Sequence, residues 1–271
     1  MGDDMGGDMG GDMGDDMGGD TGGDDTMAAS TSMEASADAM AGSRWPRAVI
    51  ARPLTLPKSL AAIGLDLAAD KSFDVVLGNI RAQYGIDDKL EAGIAYGFAL
   101  KEFEAKGSLN ANVGYALARG AAGGKLEVIG RGSVGYNFLT EGLNPLTAGL
   151  QAQYNISDKL AVVMPGNHLS IGLEEPNSIT FGLPVGVGYQ ITPEFYAQLD
   201  TQLANIAIKD AGDTAIIFAD TTPLAITATY NAMPALDVYV GLSMDLTPAD
   251  PLGVGDTLAF LAGATYYAGD L

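Results

Sequence analysis

The sequence predicts an all-β fold: a transmembrane antiparallel up-and-down (meander) β-barrel of about 12 strands, preceded by a disordered N-terminal tail. Three observations predict it. Tyr84, Tyr115, Tyr154, Tyr189 and Tyr230 each stand just before a turn signal, after which a strand-like run restarts. The tyrosines are spaced 31 to 41 residues apart, the length of one up-and-down strand pair with its loops. On both sides of each turn apolar residues alternate with small or polar ones, which is the period of a strand. The non-apolar positions hold Gly, Ala, Ser, Asn and Gln with few charges. A soluble sandwich would place charge on that face, whereas a narrow barrel interior accommodates small residues. The tyrosine rings, apolar in body and polar at the tip, suit the boundary between membrane and water.

Residues 1–43 form a tail and linker of a different kind. Met1, Met5, Met9, Met13 and Met17 recur at intervals of four, and so do Asp4, Asp8, Asp12, Asp16, Asp20 and Asp24, with Gly in most gaps. Such a segment buries little and repels itself, so disorder is expected. Thioethers can hold Cu(I) and carboxylates can hold Ca²⁺, but neither an EF-hand nor a β-helix calcium repeat is present, and a solvated spacer is the reading adopted. No metal and no cofactor is assigned. The chain opens without a basic and then apolar leader, and the sequence is read as trimmed of one.

Residues 44–59 change character. Arg44-Trp-Pro-Arg47 leads into Ala-Val-Ile-Ala-Arg52-Pro-Leu-Thr-Leu-Pro57, with the single tryptophan of the chain and three prolines. The prolines forbid a regular helix. This lead-in is expected to pack at the barrel rim, with entry into the lumen as the alternative.

Residues 60–271 are the barrel. Strands are expected at 60–69, 73–86, 90–101, 107–118, 125–138, 146–156, 160–172, 178–191, 194–207, 214–231, 235–246 and 256–268. Alternation is clearest in the third, where Leu90, Ala92, Ile94, Tyr96 and Phe98 oppose Glu91, Gly93, Ala95 and Gly97. The short tyrosine turns define one end, assigned to the periplasm as in such barrels. An even strand number returns both termini there, so the tail is expected to be periplasmic.

Composition excludes several classes. There is no Cys, hence no disulfide, thiolate metal site or cysteine nucleophile. The net charge of −20 leaves no basic surface for nucleic acid. No uninterrupted apolar run is long enough for a membrane helix.

On these registers the lumen carries Asp66, Arg81, Glu91, Lys101, Lys125, Glu127, Arg131, Asp200, Asp237 and Asp245. Charges inside a barrel either pair across the lumen or line a wet path. Six acids against four bases imply a mild preference for cations if a path is open.

The alternation and the tyrosine–turn spacing over residues 60–271 resemble Gram-negative outer-membrane β-barrel proteins. That resemblance implies an outer-membrane location, contact with membrane lipid, and porin-like passive passage of small hydrophilic solutes or ions. It singles out no substrate and no oligomeric state. One element suggests different chemistry. In Asn167-His168-Leu169-Ser170, His168 and Ser170 are two apart on a strand, and the pair resembles the His-x-Ser element of outer-membrane phospholipase A. Ser170 would then be nucleophile and His168 general base. No third group to orient the base is evident, and Pro165-Gly166 predicts a bulge that would exchange the faces beyond it. A third possibility is a structural barrel that anchors the acidic tail or a periplasmic partner.

Overall fold

A computed structural model describes residues 45–100, 107–166, 168–174, 178–209, 214–217, 221–248 and 251–269. The strands are β1 (Ala61–Asp70), β2 (Val76–Gly85), β3 (Leu90–Ala99), β4 (Ser108–Gly120), β5 (Leu126–Asn137), β6 (Gly142–Asn155), β7 (Leu160–Met164), β8 (Leu169–Ile171), β9 (Ser178–Thr192), β10 (Phe195–Lys209), β11 (Thr214–Ile217), β12 (Pro223–Met233), β13 (Leu236–Asp245) and β14 (Ala259–Ala268). Each pairs antiparallel with its neighbours in the wall, and β14 pairs with β1 from Ala61↔Ala268 to Asp70↔Ala259. The pairing of β14 with β1 therefore closes the sheet, as a solvent that cannot hydrogen-bond requires.

Two wall positions are filled by broken strands. β6 pairs with β7 at 152–155 and with β8 at 146–148. β10 pairs with β12 at 195–201 and with β11 at 205–208. The segments thus make a closed meander of twelve positions. The first interruption falls at Pro165-Gly166, where proline removes a ladder donor.

The faces sort as a membrane barrel requires. Ile94 is 55% exposed and Val240 62% exposed on the outer wall, while Glu91, on the opposite face of the strand that carries Ile94, is 2% exposed. Such an inversion is stable only if the outer solvent is hydrocarbon. Register also explains the tyrosine spacing. Tyr84 lies opposite Ala61, Tyr115 opposite Leu90, Tyr154 opposite Leu126, Tyr189 opposite Leu160 and Tyr230 opposite Phe195. Each faces a residue that opens a strand, so the five share one height. Tyr266, opposite Leu236, makes a sixth. All six are 41–50% exposed.

At this tyrosine end the connections are short. The one between β4 and β5 turns through Gly120, Gly123 and Gly124, all at positive φ, a backbone that glycine adopts without strain.

The lead-in segment departs from expectation. Residues 45–60 do not lie on the rim but inside the lumen at the tyrosine end. Trp45, Leu56 and Leu60 pack with Ala62 and Tyr267. Ile50, in a single 3₁₀ turn (Val49–Ala51), packs with Ala161, Val163 and Tyr196. The physical reason is that these wall residues point inward and are apolar or aromatic. An empty lumen would leave them wet, and the segment covers them.

Candidate functional site

The segment enters the lumen with its backbone polar groups needing partners. Prolines 53 and 57 carry no N–H, which reduces the demand. Inward side chains of the wall meet the rest. Gln190 Oε1 accepts from Ile50 N at 3.1 Å, and Gln153 Nε2 donates to Ile50 O at 2.8 Å. Glu127 accepts from Leu54 N and Glu91 from Leu56 N, both at 2.8 Å. Arg131 donates to Leu54 O at 3.2 Å, and Arg119 donates to the hydroxyl of Thr55. The wall residues come from β3, β4, β5, β6 and β9, so the segment is held from half the circumference.

The tightest contact is on the opposite wall. The Arg52 guanidinium forms a two-pronged pair with Asp237, 3.0 Å from Nη2 to Oδ1, and also donates to the carbonyls of Pro46 at 2.7 Å and Arg47 at 3.1 Å. Both partners are more than nine-tenths buried. Asp237 further accepts from Asn231 at 2.8 Å and from Tyr267 Oη at 3.0 Å. The rings of Trp45 and Tyr267, 4.9 Å apart, flank the guanidinium at 5.3 and 5.5 Å, a cation–π arrangement on two sides. Arg47 adds a bond to Asn231 at 2.8 Å and an ion pair with Glu194 at 3.2 Å.

The predicted lumen residues sort into three groups. Several are paired. Glu91 meets Arg131 at 2.8 Å, Glu127 meets Arg119 at 3.3 Å, and Asp66 meets Arg81 at 3.0 Å. Asp66 is also bonded by Asn79 and Tyr239. Asp200 is held differently: the Gln198 amide donates to both its oxygens at 2.8 Å. Two stand near the ends of the barrel. Lys125 is exposed beside the 120–124 turn, and Asp245 accepts from Thr222 N and Thr247 N in the loops at the opposite end. Lys101 lies outside the described residues. Arg52, Arg119 and Thr55 were missed by sequence reasoning. Their signal was the surplus of inward acids at the tyrosine end, which requires cations from somewhere.

Nearer the other end the inner wall of β4, β5 and β6 carries neutral pairs. Asn144 donates to Asn110 at 2.8 Å, and Ser133 and Thr147 share a bond at 2.6 Å.

His168 and Ser170 do not meet as a catalytic pair. Beyond Pro165-Gly166 the faces exchange: Leu169 lies opposite outward Ala148 and Phe181, and Ser170 opposite inward Thr147 and Thr180. The His168 ring fills the interruption between β6 and β9, with Nε2 on Leu150 O and Nδ1 on Gly182 O at 3.1 Å. Both nitrogens face main-chain carbonyl oxygens, to one of which the ring N–H donates, whereas a general base needs a lone pair aimed at the hydroxyl. Asn167, beside His168 in sequence, lies outside the described residues.

No protein-family model matches the chain, and no curated protein does. Solved structures do match. The NanC porin aligns with a TM-score of 0.56 at 11% identity, over 75% of this chain and 98% of that one. The KdgM porin aligns at 0.51 and 10% identity, over 76% and 98%. KdgM in complex with disordered oligogalacturonate aligns at 0.52 and 11%, over 76% and 98%. This chain has the porin-type barrel fold. In this barrel the segment 45–60 is seated in the lumen.

Proposed function

We propose that the protein is a porin-like passive channel of the bacterial outer membrane for small hydrophilic solutes or ions, with residues 45–60 acting as an internal constriction and the acidic tail on the periplasmic side. The observation that carries this reading is the closed wall, apolar outside and lined with amides, hydroxyls and paired charges inside. Such a lining favours water and solvated molecules over lipid. The expected cation preference is reduced, because Glu91, Glu127, Asp66 and Asp237 each have an arginine partner. The same pairing argues against strong retention of acidic oligosaccharides, since none of these four arginines is left without an acid.

The experiment is planar-bilayer recording of the full chain beside a chain lacking residues 1–58. The full chain is expected to give small, steady steps and the shortened one larger steps of stronger cation preference, because Asp237 then lacks Arg52. A folded barrel silent in both forms would reject the channel and favour the structural anchor. Ester release from micellar lipid, abolished by Ser170→Ala, would instead identify a hydrolase, a result that the engaged His168 ring does not lead us to expect.

A further inference from the structure

Beside the seated segment is a cavity of about 270 Å³. Trp45, Val49 and Pro53 of the segment form one side, and Gln151, Gln153, Tyr196, Gln198 and Tyr267 of the wall form the other. Trp45, Tyr196 and Tyr267, each at least nine-tenths buried, border this small half-open space. We propose that this cavity is a binding site for a single uncharged monosaccharide ring. The inference rests on the channel reading only in placing the site on a solute's route.

Four features define the ligand class. The first is size. At about 30 Å³ of liquid volume per molecule the space equals roughly nine waters, which suits one pyranose and not an oligosaccharide. The second is charge. Arg52 borders the cavity but its guanidinium is consumed by Asp237, Tyr267 and two carbonyls. An anion finds no uncommitted counter-charge, and it would approach Asp200 behind Gln198. The third is the aromatic lining. With the Trp45 and Tyr267 faces turned to Arg52, the rings present their apolar edges to the C–H surface of a sugar while the rest of the rim remains polar.

The fourth is the order of donors and acceptors. Gln151 gives its carbonyl to Arg131 Nε at 2.5 Å, which leaves its amide hydrogens as donors. Gln153 gives its amide nitrogen to Ile50 O and Asn155 Oδ1, which leaves its carbonyl as acceptor. Tyr196 donates its hydroxyl hydrogen to Gln198 Oε1 at 3.0 Å, which leaves the oxygen lone pairs. Existing bonds thus fix a donor and two acceptors around the space. Hydroxyl groups, which are both donor and acceptor, match such a mixed rim. A purely apolar molecule would leave all three polar groups unmet.

Trp45 is the single tryptophan of the chain, so its emission reports on the site directly. The full chain, folded in detergent micelles, is titrated with glucose and separately with glucuronate. The expected result is a saturable change in Trp45 emission with glucose and at least tenfold weaker binding of glucuronate. Gln151→Ala and, as the more conservative variant, Tyr196→Phe should each raise the midpoint about five- to tenfold, the worth of one hydrogen bond. An emission change that grows linearly without saturating, an equal response to glucuronate, or wild-type midpoints in both variants would overturn the proposal. A chain that conducts without binding glucose removes the site and leaves the channel. A chain that binds without conducting removes the channel and leaves the site.

Discussion

Arg52→Met tests whether one ion pair keeps the internal segment seated. Methionine retains an unbranched stem beside Trp45 and Tyr267 but removes every polar bond the guanidinium makes. These include both prongs to Asp237 and the bonds to Pro46 O and Arg47 O. Asp237, 6% exposed, would keep Asn231 and Tyr267 but lose its counter-charge. Removing one partner of a buried pair costs about 3–5 kcal/mol. With a factor of ten for each 1.4 kcal/mol, the unseated-to-seated ratio should rise roughly a hundredfold to several thousandfold. Two assays read this. Single-channel conductance should move toward that of the chain lacking residues 1–58, and trypsin should cut at Arg47 and Lys58 faster than in the parent. The double variant Arg52→Met with Asp237→Leu removes both charges and should recover much of the seating, because a buried pair exchanged for apolar groups is often neutral. Parent-like conductance and protease resistance in Arg52→Met would refute the idea that this pair is the lock. An equally open double variant would refute the electrostatic reason for it.

Other outcomes follow from the same geometry. Val240→Arg places a charge on the lipid face and should cost about 2–4 kcal/mol near the membrane midplane, lowering the folded fraction in vesicle unfolding. Gly85→Ala should loosen the segment's exit, because a Cβ there would lie 2.0 Å from the carbonyl oxygen of Pro57. Overpacking against backbone costs about 1–3 kcal/mol, visible as faster cleavage at Lys58. His168→Ala should lower barrel stability by about 1–3 kcal/mol, because the ring N–H no longer meets a main-chain carbonyl in the gap, with no change in any ester release. At the loop end, Lys71 and the Gly253 N–H hold the Asp256 carboxyl below its ordinary range. Because the folded value is depressed, the clasp is complete above the ordinary carboxylate value and is lost as pH falls through the lowered one. Hydrogen exchange near Val254 should therefore rise in acid, and Lys71→Gln should shift that rise to higher pH.

The wall was legible because two independent periodicities agree in it. Alternation along β3 assigns Glu91 inward and Ile94 outward, and the turn spacing sets Tyr84, Tyr154 and Tyr189 at one height. A membrane barrel enforces both at once, since a slip of one residue would put a glutamate into hydrocarbon. The break at Pro165-Gly166 was legible too, though its consequence for His168 was not. Period two places a side chain on a face, and His168 is on neither: its ring stands in the gap where ladder bonds are missing. That role depends on the carbonyls of Leu150 and Gly182, which belong to the flanking strands β6 and β9 and not to the strand whose alternation is being read.

The lumen's contents were hidden for a related reason. Segment 45–60 has no period, because its hydrogen bonds go to side chains of other strands and not to a ladder of its own. What sequence did carry was an imbalance. The inward list held six acids and four bases, and an acid buried as deeply as Asp237 requires a cation. Three arginines stood unassigned in the only aromatic and proline-rich stretch before the barrel. Charge accounting across the two regions therefore points to the seated segment. It names Arg52 least directly of all, because the choice among Arg44, Arg47 and Arg52 depends on where Trp45 and Tyr267 converge. On the proposed channel reading, selectivity is expected to follow from that accounting. With Asp66, Glu91, Glu127 and Asp237 each paired to an arginine, discrimination would pass from net charge to the shape and hydrogen-bond order of the space beside Trp45.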